Sequence, residues 1–479
     1  MLRAAIKRIR AGQITLRAIL GFTTLVAVGL AWWVPRIQRP QKFEMAGKQL
    51  LKQGAPVVLS GAWGNADLRI VAAGGDRKEL RAGDVDVIRI AGPIDSISLD
   101  STANVDWAQM LRLFRIGGLT ELDVEANKSR QLDDVIEAVG KARAGVEHLR
   151  LSYGPLSARC GDLLANVAAL RTLHLELCQT AQPSLTIDRL AKLEKLSLER
   201  CAVGRLTLES LPQLVEFNCL ATPAGAGGST LTLTVSDMPQ LRTMSLATGS
   251  NFKTEWSVDR CPKLRQIRLS SMAVDAEHLE RLASGAGDLR ELMIEGVYEC
   301  LCTPREARHL ARLTRLETIR LTAVCPSRSA LRALSRLPGL QRIEIQAEDC
   351  REDDEPRWYD ADYNLSLEEH RARWASNAWS ELKRSAELTD LALWTTLWNP
   401  QDIAWIGRLS KLKRLDLSRC RVKIPGSWQT RPLQESDLDW LNDAQGLQTL
   451  WLEASPGPQF ASRLQSAMIR YGNKHEPFQ

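Results

Sequence analysis

The residue types that could do chemistry in this chain are six histidines, ten cysteines and a scatter of acids, and their spacing argues against most reactions. No histidine stands with a Cys or Asp at a spacing that would pair a nucleophile with its base. The metalloprotease pattern HExxH, the nucleophile elbow GxSxG, the phosphate loop GxxxxGK[ST] and the Gly-rich dinucleotide fingerprint are all missing. Asp360, Asp362 and Asn364 match the first three ligand positions of a calcium loop. That loop then needs Gly where Leu365 stands and a bidentate Glu where Arg371 stands, so a solvated acidic loop is the better reading. The expectation is a chain that is not an enzyme, with no catalytic residue, no cofactor and no metal.

What recurs is a position pattern, L-x-x-L-x-L. It runs as LTELDV from Leu119, VEHLRL from Val146, LRTLHL from Leu170, LEKLSL from Leu193 and LVEFNC from Leu214. It continues from Leu241, Leu264, Leu289, Leu316, Leu340, Leu388, Leu412 and Leu447. Every one of these rows is apolar at its first, fourth and sixth positions, far beyond what a chain with 44% hydrophobic residues gives by chance. An earlier row, IDSISL from Ile94, also fits. Alternation within L-x-L places two side chains on one face of a short strand and the intervening ones on the other.

From Leu119 to Leu340 the row starts lie 21 to 27 residues apart. This resembles the leucine-rich-repeat family, whose repeats run about 20–29 residues. The resemblance covers residues 94–455, about three quarters of the chain. It implies an α/β solenoid, a horseshoe with parallel strands on the concave face and mixed helical and extended convex segments. A single coil cannot bury its apolar edge, so stacked coils share one core. The family's ninth position often holds Asn or Cys turned inward at a bend, and here it carries Asn127, Cys178, Cys201 and Cys420. Return segments 275–283 and 329–337 have helical apolar spacing, whereas Leu185–Ile187, Leu206–Leu208 and Leu231–Val235 read as extended.

The elements that present this solenoid follow from the flanks. Residues 1–45 hold eight basic residues and one acid, which leaves the body near neutrality and gives no basic face for nucleic acid. Residues 18–35 are uncharged, and an 18-residue helix is ~27 Å long, close to the ~30 Å hydrocarbon core. Trp32 and Trp33 suit the headgroup layer at its far end. The basic excess on the N-terminal side predicts a single-pass anchor with a cytoplasmic N-terminus and an exported body, periplasmic or extracellular. A cleaved signal peptide is the rival. The organisation expected is a basic tail (1–17), an anchor (18–35) and a linker with N-terminal cap (36–93). Repeats (94–347), an acidic and aromatic insertion (348–386), further repeats (387–455) and a C-terminal tail (456–479) follow. Within the cap, a short helix at 44–53 and strands near 57–60 and 87–90 are expected. An Ala/Arg-rich composition suggests a bacterial source.

The fifth and seventh row positions supply the candidate concave face: Asp123, Glu125, Arg150, His174, Glu176, Glu199, Arg268, Glu295, Arg320 and Glu344. Mixed signs fit a protein surface better than a polyanion. Trp394 and Trp451 project there too, as interface anchors or as packing under the insertion. The expected function is a membrane-tethered scaffold that binds a protein partner. Glycan binding by an envelope or adhesive protein is the alternative, and a hydrolase within the insertion a remote third. Cys300, Cys302, Cys325 and Cys350 fall at positions 12, 14, 10 and 11 of three successive coils. Neighbouring strands lie ~4.8 Å apart and a disulfide wants Cα atoms ~5.5 Å apart, so a bridge from Cys325 to Cys350 or to Cys300 is expected in an exported body. A zinc site and free thiols are the alternatives.

Overall fold

The computed structural model describes residues 41–471, leaving out 43, 51, 53–56, 63–64, 71–81, 92–93, 100–111, 113, 116–117, 126–131, 143–144, 181–183, 223–229, 249–252, 273, 297–302, 323–325, 347–378, 395, 398–399, 425–429, 445 and 454–467. The expected anchor at 18–35, Asn127, the calcium-like triplet and Cys300, Cys302, Cys325 and Cys350 lie outside the described residues. The chain divides into two compact units, one of residues 1–159 with 163–172 and one of 160–162 with 173–479.

The first unit opens with a short helix over residues 44–50. The antiparallel pair β1 (Val57–Ala62) and β2 (Asn65–Ile70) follows. Helix α1 (Ala82–Ala91) comes next and overturns the strand expected near residues 87–90. Val85 and Ile88, three apart, are both buried, which is helical and not alternating spacing. Beyond it, β2 pairs in parallel with β3 (Ser96–Leu99), β3 with β4 (Glu121–Glu125), and β4 with β5 (His148–Ser152). Helix α2 (Leu132–Ala142) buries Leu132, Val135, Ile136 and Val139, and the short β6 (Pro155–Leu156) closes the coil.

The second unit begins with β7 (Thr172–Glu176, from its second residue), β8 (Gln179–Thr180) and β9 (Ser184–Asp188). Then β10 (Lys195–Ala202), β11 (Arg205–Glu209), β12 (Glu216–Thr222), β13 (Thr230–Ser236), β14 (Thr243–Thr248), β15 (Lys253–Asp259) and β16 (Gln266–Ser270) follow. Each coil here therefore contributes two strands. The row strands β10, β12, β14 and β16 pair in parallel in that order, and β9, β11, β13 and β15 form a second parallel sheet. Leu206 is the register partner of both Leu185 and Leu233, and Leu233 of Trp256, so the second sheet buries one continuous column. Three of its four strands were legible as L-T-L or L-T-I pieces, and β15 was not.

From residue 276 the return segments turn helical: α3 (Ala276–Gly285), α4 (Pro304–Leu310) and α5 (Arg328–Leu334) alternate with β17 (Glu291–Glu295), β18 (Thr318–Thr322) and β19 (Arg342–Gln346). Capping residues start each helix: Asp275 accepts from Glu277 and His278 N–H, Thr303 from Glu306, and Ser327 from Ala330. Gly285 ends α3 where a Cβ would sit 2.4 Å from the Val258 carbonyl oxygen, so the helix approaches β15 too closely for any side chain. Trp256, 1% exposed, stacks on the His278 ring at 4.9 Å and fills the space between them.

A 3-10 turn (Trp379–Arg384) leads into β20 (Asp390–Trp394) and the short β21 (Thr396–Leu397). A second 3-10 segment (Pro400–Arg408) precedes β22 (Arg414–Leu417), β23 (Arg421–Lys423) and β24 (Thr430–Pro432). The row sheet runs on through β16, β17, β18, β19, β20, β22 and β25 (Thr449–Leu452) to β26 (Met468–Tyr471), which extends it beyond residue 455.

All the row positions read as inward are buried, from Leu119, Leu122 and Val124 to Leu447, Leu450 and Leu452. At the eighth row position the backbone turns left-handed: Tyr153 in the first unit, and Leu177, Arg200, Ser271 and Gly296 in the second, have positive φ. The residues that follow β9, β11, β13 and β15, namely Arg189, Ser210, Asp237 and Arg260, do the same. Parallel rows stacked coil upon coil, with apolar first, fourth and sixth positions inside, make this a leucine-rich-repeat solenoid fold.

Candidate binding face

A row strand points its fourth and sixth residues into the core, so its fifth and seventh must point out. In the first unit this presents Asp123 and Glu125 from β4 and the exposed Arg150 from β5, with Asp123 and Arg150 in register. In the second unit the register lines up one long column of fifth positions. It runs Ser197, Asn218, Ser245, Arg268, Met293, Arg320, Glu344, Ala392, Asp416, Trp451 and Arg470. Beside it the seventh positions run Glu199, Leu220, Ala247, Ser270, Glu295, Thr322, Gln346 and Trp394.

Most of the charges read from the sequence are brought together in pairs. Arg268 donates to Glu295 at 2.8 Å. Arg320 is ion-paired with Glu344, whose other oxygen lies 2.9 Å from Arg342 Nε. Glu344 is only 1% exposed, so it is a buried counter-charge for two arginines and offers a partner nothing directly. A buried carboxylate is tolerable only when paired in this way. Arg414 pairs with the buried Asp390 on the same face. His174 Nε2 sits 3.9 Å from Glu176, a loose contact between half-exposed groups. Glu216 is drawn below its usual value by the Asn218 amide, which donates to it at 2.9 Å, and by Lys195. Glu199 is exposed.

The two tryptophans do not meet. Trp394 stands in the seventh column on β20 and Trp451 in the fifth on β25, with β22 between them, so the strand spacing alone separates them by ~9.6 Å. Each ring is half-buried and carries a guanidinium above it: Arg419 at 5.3 Å from Trp394 and Arg470 at 5.6 Å from Trp451. These cation–π contacts fix the rings as flat polar-edged platforms. The Trp394 indole nitrogen is buried with no hydrogen-bond partner.

Sequence reasoning missed the middle of the face. Asn218 and Leu220 on β12 and Ser245 and Ala247 on β14 form an uncharged floor, with Ser197 and Glu199 on β10 along one side and Arg268 and Ser270 on β16 along the other. Leu220, 39% exposed, is one of three large hydrophobic residues that stand out in the described structure, with Met45 and Tyr153. The signal was present in the row LVEFNCL, which puts a leucine at an outward seventh position. Among the described residues no three His, Cys, Asp or Glu side chains gather to hold a metal ion, and no helix is long and apolar enough to cross a membrane.

No family model and no curated protein matches the chain. Among solved structures it is similar to an internalin (inlF) from Listeria monocytogenes str. 4b F2365. That match is 14% identical over 91% of this chain and 98% of that one, with a TM-score of 0.36. It is also similar to the protein of a TLR13–ssRNA13 complex, 16% identical over 83% of this chain and 61% of that one, with a TM-score of 0.35. At such scores the fold assignment rests on the rows and their register.

Proposed function

We propose that this chain is a binding scaffold, not an enzyme, that holds a protein partner on the outward face of its row sheet. The carrying observation is the uncharged floor centred on Leu220, bordered by Glu199 on one side and by the Arg268–Glu295 pair on the other. An exposed leucine on a rigid sheet, rimmed by polar groups, is the composition of an interface core. Mixed and mutually paired charges suit a protein surface and not a nucleic-acid backbone. A glycan reader would want aromatic platforms along the face, and here Trp394 and Trp451 stand only at its C-terminal end. In this reading residues 18–35 tether the scaffold to a membrane and the repeats are exported.

The test is affinity capture by the full-length chain from native membrane extracts, compared with Leu220→Arg and with the Trp394→Ala/Trp451→Ala double variant. Leu220→Arg is expected to lose the captured partner at least tenfold, and the double variant to weaken it by ~2 kcal/mol or more if the tryptophans are anchors. Unchanged capture by a folded Leu220→Arg protein would place the site elsewhere.

A further inference from the structure

We propose that Cys178 and Cys201 close a disulfide bridge between neighbouring coils under oxidising conditions. The two occupy the same ninth row position on successive coils. Ala202 is the register partner of Gln179, and its N–H donates to the Cys178 carbonyl at 2.8 Å, which sets the two preceding residues side by side. Neighbouring strands lie ~4.8 Å apart, inside the ~4.4–6.8 Å between Cα atoms that a disulfide accepts. Both side chains turn the same way, into the coil, and each is 1% exposed. Cys178 Sγ donates to the Glu176 carbonyl at 3.5 Å and Cys201 Sγ to the Leu175 carbonyl at 3.3 Å.

The neighbouring Cys178 side chain is the largest influence drawing the Cys201 thiol below its usual value. Cys219, one coil further on, stands at the sixth row position and not the ninth, and burial pushes its thiol up to about 12. Cys160, Cys261 and Cys420 are buried elsewhere in the stack.

The reaction is thiol–disulfide exchange with a small-molecule disulfide such as oxidised glutathione. One cysteine thiolate attacks a glutathione sulfur, the glutathione S–S bond breaks, and one glutathione thiolate leaves and takes up a proton. The second cysteine thiolate attacks the protein sulfur of this mixed disulfide and expels the other glutathione, which is protonated in turn. The two protein sulfurs are oxidised and one glutathione disulfide is reduced to two thiols. Because both sulfurs are buried once the coils have stacked, the bridge belongs to folding. It closes a short loop from Cys178 to Cys201 and so removes freedom from the unfolded chain.

The experiment is to refold the denatured, reduced full-length chain in detergent with a glutathione redox buffer, then to alkylate it and map its peptides by mass spectrometry. The expected result is one peptide pair joined through Cys178 and Cys201, two hydrogens lighter than the separate peptides, with Cys219 alkylated. The Cys219→Ala variant should give the same joined pair. A folded chain in which Cys178 and Cys201 both carry the alkyl label would overturn the proposal. The buffer supplies the oxidant, so this outcome does not depend on export or on the binding reading.

Discussion

Leu196 and Leu198 are 1% and 0% exposed, while Ser197 between them points out of the sheet. A charge at the first of these would lose its water with no partner to replace it, a cost of several kcal/mol. Leu196→Asp should therefore lower the melting temperature by many degrees, whereas Ser197→Asp should stay within about 0.5 kcal/mol of the parent. Equal melting curves for the two would contradict the register. Inward residues were legible from the sequence because alternation fixes which side each takes. How far an outward residue is covered was not legible, since that depends on neighbours in adjacent coils. Glu344, lying in register between Arg320 and Ala392, is buried as deeply as a core leucine, and Met293 is 8% exposed at an equivalent position. The same limit hid Leu220, which stands in register between Glu199 and Ala247.

At the scale of elements, the row strands and the helical returns α3 and α5 were readable, α2 (Leu132–Ala142) and α4 were not, and the failures have local causes. In 82–91 valine and isoleucine alternate with aspartate and arginine densely enough to suggest a strand, yet the buried pair is spaced for a helix. Helix α4 was missed although Thr303, Pro304 and Glu306 spell a capping box with proline at the first turn. One element contact makes a pH prediction. Glu381, in the turn Trp379–Arg384, accepts from Arg332 at 2.9 Å and from Arg328 at 2.8 Å, both on α5. First Arg332 and then Arg328 hold its carboxyl down to about 2 from an ordinary 4.5. A carboxylate depressed in the folded state adds stability above its unfolded value, and loses it as pH falls from about 4.5 towards about 2. Both arginines are largely in water, so the contribution is discounted to about 1 kcal/mol. Acid melts should show the parent losing its advantage over Glu381→Gln across that window; parallel curves from pH 6 to pH 2.5 would remove the clamp from the account.

At the scale of the molecule, the repeat spacing of 21 to 27 residues was enough to establish coil, core and sheet. It did not reveal that the chain falls into two units, nor that the coils from Ser184 to Asp259 return as a second sheet while later ones return as helices. Those choices are made by short segments whose strand and helix preferences are close, and packing decides between them. The proposed tethering rests on the sequence of residues 18–35 alone. Alkaline carbonate extraction of membranes should leave the full-length chain in the pellet, and its release into the supernatant would end the anchor reading.

The central claim, that the outward row face binds the partner, is tested most directly by photo-crosslinking from single sites on opposite sheets. A crosslinker placed at Leu220 or Ser245 lies on the proposed face, and one at Thr207 or Thr234 lies on the outward side of the second sheet. The account predicts partner adducts from Leu220 and Ser245 and none from Thr207 or Thr234. Adducts that form from the second sheet while Leu220 and Ser245 stay silent would contradict it.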